Sequence, residues 1–256
     1  MTAIHGVLLD IDGVLTVSWR ALPGAAETLA WLRDREVPFR LATNTTTLSR
    51  DDLAGTLRGA GLDVDPADLI TAPVAAAEYL RRRHPGAGVF LLGGSGTRPD
   101  LDGVRLVDDG ADVVLLAGAD DDYTWGSLNR AFRMLRGGAA LVAMHRNAWW
   151  MTDGGPTLDA GSFLPGLEAA SGVRAVVTGK PSPTFFADCV ATLGVEPGAA
   201  AMVGDDLHND VLAAQAVGLT GILVRTGKYT EVELGASPAR PDLVIDSIAA
   251  LPEALR

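Results

Sequence analysis

At 256 residues, with 48% hydrophobic and 21% charged content, the chain has the composition of a globular protein and room for one large or two modest domains. A net charge of -11 argues against a nucleic-acid backbone, whose binding calls for clustered Lys and Arg, and no apolar run is long enough to cross a bilayer, so neither nucleic acid nor membrane is expected as a partner. The single cysteine, Cys189, cannot close an internal disulfide, and the N-terminus lacks a secretory pattern, so a reducing cytoplasm is the expected compartment.

In chain order, residues 7–10 and 39–43 read as apolar strands, each followed by a stretch of helical period at 25–35 and 50–58, with Pro23-Gly24 marking the first helix start. This is the rhythm of βαβ units, and it predicts an α/β fold: a doubly wound parallel sheet covered by helices on both faces. Residues 73–173 carry strands of their own at 89–92, 113–116 and 141–144 and a helix near 125–135, and read as an inserted α/β domain. The core rhythm returns at 175–178, 184–193, 200–203, 206–217, 221–224 and 243–245. The two ends of the chain are therefore expected to share one sheet, giving a core of 1–72 and 174–256 around an insert of 73–173.

In open α/β sheets the reactive groups gather at the carboxyl ends of strands, and four predicted strands end in chemistry-bearing residues. The first ends in Asp10-Ile11-Asp12-Gly13. Along an extended strand residues i and i+2 share a side, so Asp10 and Asp12 would converge and repel unless a cation or a shared proton lies between them. The second runs into Thr43-Asn44-Thr45-Thr46-Thr47 and then a helix, a set of hydroxyls, amide and backbone N–H groups suited either to an anion or to plain helix capping. The third, 175–178, runs into Gly179-Lys180-Pro181-Ser182-Pro183. Lys180 and Lys228 are the only lysines among 21 basic residues, so Lys180 stands out as a compact point charge rather than a routine surface cation. The fourth runs into Gly204-Asp205-Asp206-Leu207-His208-Asn209-Asp210, where helix capping needs one acid and three are present. Each segment alone also fits a turn or a cap. Together they describe about five carboxylates, one lysine and an anion cradle, which calls for a hard divalent cation such as Mg²⁺ and a phosphate ester as ligand.

In order and spacing these segments resemble the haloacid dehalogenase superfamily of aspartate-nucleophile phosphatases, over essentially the whole chain. An insert between the Thr and Lys motifs is similar to the class with a large α/β cap that includes nitrophenyl phosphatase-like proteins. Residues 179–186, 204–206 and 224–229 further resemble phospholysine phosphohistidine inorganic pyrophosphate phosphatase and its relatives. The resemblance implies that Asp10 is the nucleophile and Asp12 the general acid and base. It implies Asp10, the Asp12 backbone carbonyl and Asp205 as Mg²⁺ ligands, with Asp206, Asn209 and Asp210 ordering the surroundings of the metal. Thr43, Asn44 and Lys180 would hold the transferring phosphoryl group of a small phosphorylated molecule. It also implies pairing into a homodimer through the cap.

Three rival functions use related chemistry: a receiver-type signalling domain that keeps its aspartyl phosphate, a phosphosugar mutase, and a binding module that retains the fold without turnover. Receivers are about half this long and place their paired acids early, whereas here Asp205-Asp206 follows the lysine. In the insert, the Gly93-Gly94-Ser95-Gly96 loop reads as a turn, since it lacks the Lys-Ser/Thr ending of a nucleotide loop. His145 and the Trp149-Trp150 pair read as cap packing, and Asp159 as a helix start or a group reaching toward substrate.

Overall fold

Gly6–Leu9 is buried along its whole length, as expected of a strand with neighbours on both sides and helices on both faces. It pairs in parallel with Ala200–Gly204 on one side and Phe39–Thr43 on the other, with Leu9 opposite both Val203 and Leu41. The six-stranded sheet runs in the order Leu243–Ile245, Thr220–Val224, Ala200–Gly204, Gly6–Leu9, Phe39–Thr43, Leu69–Thr71. The chain moves outward from Gly6–Leu9 to one side early and to the other side late. The carboxyl end of Gly6–Leu9 is therefore the topological switch point, where such sheets open a crevice.

The computed structural model describes residues 3–152 and 155–255. By its contacts the chain divides into one unit of Met1–Thr43, Asp51–Ile70 and Lys180–Arg256 and a second of Asn44–Arg50 and Thr71–Gly179. In the first unit the helix Pro183–Leu193 buries Phe185, Phe186, Cys189, Val190 and Leu193, and thereby removes the lone cysteine from solvent. The second unit has its own five-stranded sheet in the order Val176–Val177, Ala140–Ala143, Val113–Leu116, Gly88–Leu92, Arg105–Leu106. Alternate residues of Val113–Leu116 feed two cores: Val114 and Leu116 pack with Leu135 and Leu164, and Val113 and Leu115 with Ala76 and Leu80. Among the described residues, no helix is long and apolar enough to cross a membrane.

Two expectations are corrected. The strand expected at 175–178 in the core sheet is only Val176–Val177, and it pairs with Val142 and Ala143 of the second sheet. The helix expected over 206–217 opens instead as a π-helical turn, Leu207–Leu212, before a short α-helical turn at Ala213–Gln215. Phe186 is fully buried. Truncating it to Ala is expected to destabilise the protein by about 3–5 kcal/mol, measured by chemical denaturation; a midpoint equal to that of the wild type would mean the helix is not seated as described.

Candidate active site

The strand Gly6–Leu9 stops at Leu9, but the Asp10 N–H still donates to the Val203 carbonyl at 2.9 Å, which holds the aspartate at the rim of the sheet. A tight turn follows at once. The Ile11 carbonyl accepts from the N–H groups of Leu15 and Thr16, both at 2.9 Å, while the Ile11 side chain is fully buried. The sheet pairing ends here, while Ile11 still turns into the core as the alternation predicts. Asp12 lies in the turn, paired by a single bridge to Thr16, and is exposed. Desolvation of its carboxyl by the surrounding protein, and next the charge of Asp10, raise its pKa; Lys228 and then Lys180 pull the other way.

Lys180 is 3% exposed, and its Nζ stands 2.7 Å from Asp10 Oδ1 and 2.7 Å from Asp210 Oδ1. Burial pulls the ammonium down, but the two carboxylates outweigh that and hold its pKa above the ordinary lysine value, so it stays charged. Carboxylate oxygens of Asp10, Asp205 and Asp210 lie within 4.8 Å of one another. Asp210, expected only to order the surroundings, thus belongs to the innermost group of side chains, and the Asp12 carboxylate does not.

Asp205 is seated by the loop after Thr220–Val224. Its Oδ2 accepts the Lys228 backbone N–H at 2.7 Å, and the Thr226 hydroxyl donates to the Gly13 carbonyl. Gly13 and Gly227 both have positive φ, and a Cβ at either would run into the Asp205 carboxylate. Only glycine fits these positions. The other oxygen, Asp205 Oδ1, is buried with no hydrogen-bond partner among the described residues. Burial first, then the Asp10 charge, push the Asp205 pKa up to about 7, against the pull of the Lys228 N–H. Burial, opposed by Lys180 and joined by Asp10, likewise raises Asp210 well above the carboxylate range. Three crowded acids with one ammonium and an orphaned oxygen fit a hard, oxygen-seeking divalent cation.

The remaining acidic-loop residues do different work. The Asp206 side chain caps the π-helical turn, accepting from the N–H groups of His208 and Asn209 at 3.1 and 2.9 Å and from Asn209 Nδ2 at 2.8 Å. Of the three acids expected here, Asp206 is the capping one. Thr43 is buried at the end of its strand, and Asn44 is half-buried in the loop that follows. The helix expected over 50–58 follows that loop and begins at Arg50, whose N–H donates to Asp100 Oδ2 at 2.8 Å. In the second unit Asp159 is a helix N-cap, accepting from Ala160 and Ala119, and His145 is buried beside Thr46 at 3.4 Å. Trp149 is exposed rather than packed, because it sits on an outlying two-stranded ribbon.

The Gly227-Lys228 contribution was absent from the expected site. Its signals were available: a second rare lysine, and a Thr-Gly-Lys triplet, Thr226-Gly227-Lys228, that repeats Thr178-Gly179-Lys180.

In the cation-free protein the raised carboxyls keep protons that the unfolded chain has lost between pH 3.8 and about 7, so stability falls as pH rises through that window. A divalent cation displaces those protons. Added Mg²⁺ is therefore expected to raise the melting temperature more at pH 8 than at pH 5; a pH-independent increment would contradict the acid cluster described. Gly227→Ala is expected to weaken that increment by displacing Asp205, and an unchanged increment would show that the glycine is not needed.

The profile of the haloacid dehalogenase-like hydrolase family matches residues 7–106, and that of the HAD-hydrolase-like family matches residues 177–251. The chain is 39% identical to human haloacid dehalogenase-like hydrolase domain-containing protein 2 (Homo sapiens), over 89% of this chain and 86% of the relative. It is 32% identical to phospholysine phosphohistidine inorganic pyrophosphate phosphatase from Rattus norvegicus, over 97% of this chain and 93% of the relative. Among solved structures, 4-nitrophenylphosphatase from Thermotoga maritima superposes with a TM-score of 0.92 at 31% identity, covering 99% of this chain and 98% of that one. Glycerol phosphate phosphatase from Mycobacterium tuberculosis, in complex with magnesium, superposes with a TM-score of 0.87 at 29% identity, covering 98% and 79%. The chain belongs to the haloacid dehalogenase-like hydrolases, in the subfamily of large α/β-capped enzymes that includes the nitrophenylphosphatases.

Proposed function

We propose that this enzyme is a Mg²⁺-dependent phosphatase that hydrolyses a small phosphorylated molecule through an aspartyl phosphate on Asp10. The observation that carries the proposal is the meeting of Asp10, Lys180, Asp205 and Asp210 at the switch point of the sheet. Relatives named as phosphatases, one of them solved with magnesium, support it.

The Asp10 carboxylate attacks phosphorus as the bond to the leaving oxygen breaks, which splits one hard displacement into two easier ones. Asp12 gives its proton to that leaving oxygen, and its raised pKa keeps the proton available closer to neutral pH. Water then attacks phosphorus, Asp12 takes the proton from the water, and the bond between phosphorus and the Asp10 oxygen breaks to free phosphate. Lys180, fixed beside Asp10, offsets the charge of the transferring group, and Thr43 and Asn44 hold its oxygens. Asp10 and Asp205, with the Asp12 carbonyl, would hold Mg²⁺, with Asp210 beside them. Bound Mg²⁺ supplies charge neutralisation between the carboxylates and the incoming phosphate. The single cysteine, buried at 189, suits a reducing cytoplasm as the place of action.

Asp10→Asn is expected to lower phosphate release by at least about a thousandfold with the circular dichroism spectrum unchanged, because the replacement is nearly isosteric. Substantial residual turnover would remove Asp10 as nucleophile. Lys180→Arg places a wider planar head in a closed, doubly paired pocket and is expected to depress turnover by roughly tenfold or more; unaltered kinetics would show that the compact ammonium is not required. EDTA is expected to abolish activity and Mg²⁺ to restore it, and activity indifferent to chelation would refute the metal assignment.

A further inference from the structure

The two lysines of the chain both converge on the acid cluster, but in opposite ways. Lys180 is buried between two carboxylates. Lys228 has a side chain 44% exposed, with its Nζ 3.6 Å from Asp206 Oδ2, beyond hydrogen-bonding reach. Asp206 does not require it, since three N–H groups already occupy that carboxylate. An ammonium carries three donors, and the Lys228 ammonium makes no hydrogen bond among the described residues. Its main chain is nonetheless fixed, because the Lys228 N–H is bonded to Asp205 and Gly227 is pressed against the same carboxylate. A solvent lysine on a loose turn has no such anchor.

Its charge also falls on a particular side of the site. The loop that carries it closes on the residue after Asp12: the Thr226 hydroxyl donates to the Gly13 carbonyl, and a Cβ on Gly227 would lie 2.6 Å from Gly13 Cα. Asp12 is the group placed to protonate the leaving oxygen, so Lys228 serves the leaving-group side while Lys180 serves the nucleophile.

We propose that Lys228 is a specificity-determining residue whose ammonium binds a second anionic group, a carboxylate or a phosphoryl, carried on the leaving-group side of the substrate. This rests on the phosphatase assignment above and adds to it the class of substrate: small phosphates with a second negative charge next to the scissile bond.

Matched pairs isolate that charge. 3-Phosphoglycerate against glycerol 3-phosphate tests a carboxylate, and pyrophosphate against methyl phosphate tests a phosphoryl group. The readout is the ratio of kcat/KM within each pair. The wild type is expected to favour the doubly anionic member of at least one pair, and Lys228→Gln to lower that ratio about tenfold, mainly through KM. Lys228→Arg should retain most of the preference, because it keeps the charge. A ratio within twofold of wild type in Lys228→Gln would overturn the proposal, including the case in which all rates fall together, since that would assign Lys228 to support of the acid cluster. Calorimetric binding of the same compounds, with Mg²⁺, to Asp10→Asn and to the double variant Asp10→Asn/Lys228→Gln needs no turnover. A Lys228-dependent preference there without phosphate release by the wild type would sink the phosphatase assignment and leave the anion site standing. Equal binding by both variants would sink the anion site alone.

Discussion

A buried ammonium held 2.7 Å from two carboxylates, Lys180 between Asp10 and Asp210, is the interaction on which the rest of the site depends. Removing an unpaired charge from water is strongly unfavourable, so none of these three groups would be stable in place without the others. The balance is also incomplete. Asp205 joins the same cluster with one oxygen orphaned, and a single lysine cannot neutralise three acids. A divalent cation bound there, as proposed, would answer that residual negative charge and offset the charge of an incoming phosphate.

The sheet supplies the convergence at little conformational cost. Because Leu9 stands opposite Val203 in a parallel pair, the residues just beyond them, Asp10 and Gly204-Asp205, emerge side by side from neighbouring strands. The parallel sheet is buried on both faces and has little freedom to slip in register. The glycines at 13 and 227 then allow two loops to close on Asp205 at a distance that any side chain would prevent. Lys180 arrives from outside the sheet, at the point where the chain re-enters the first unit.

Much of this was legible in the sequence because charge is costly at the end of an apolar strand. Asp10, Asp205 and Asp210 announced themselves as acids beyond what capping needs, and Lys180 as a rare lysine among arginines. What could not be read depends on partners distant in sequence. A two-residue strand at Val176–Val177 carries no local mark of which sheet it joins, and its assignment to the core was wrong for that reason. The division of labour between Asp206 and Asp210 follows from the π-helical turn, which caps on the first and directs the second inward; adjacent acids give no such hint in one dimension. Gly227 and Lys228 carried a signal in the repeated Thr-Gly-Lys triplet, but their place against Asp205 is visible only once the fold closes them on it.

The most direct test of the site as a whole is crystallographic: crystals grown with Mn²⁺ and beryllofluoride, with anomalous data collected at a wavelength where manganese scatters. A manganese peak coordinated by Asp10 and Asp205, with the fluoride adduct on the Asp10 carboxylate facing Lys180, is the expected result. A manganese peak elsewhere, or an Asp10 carboxylate left unmodified while another side chain takes the adduct, would contradict it.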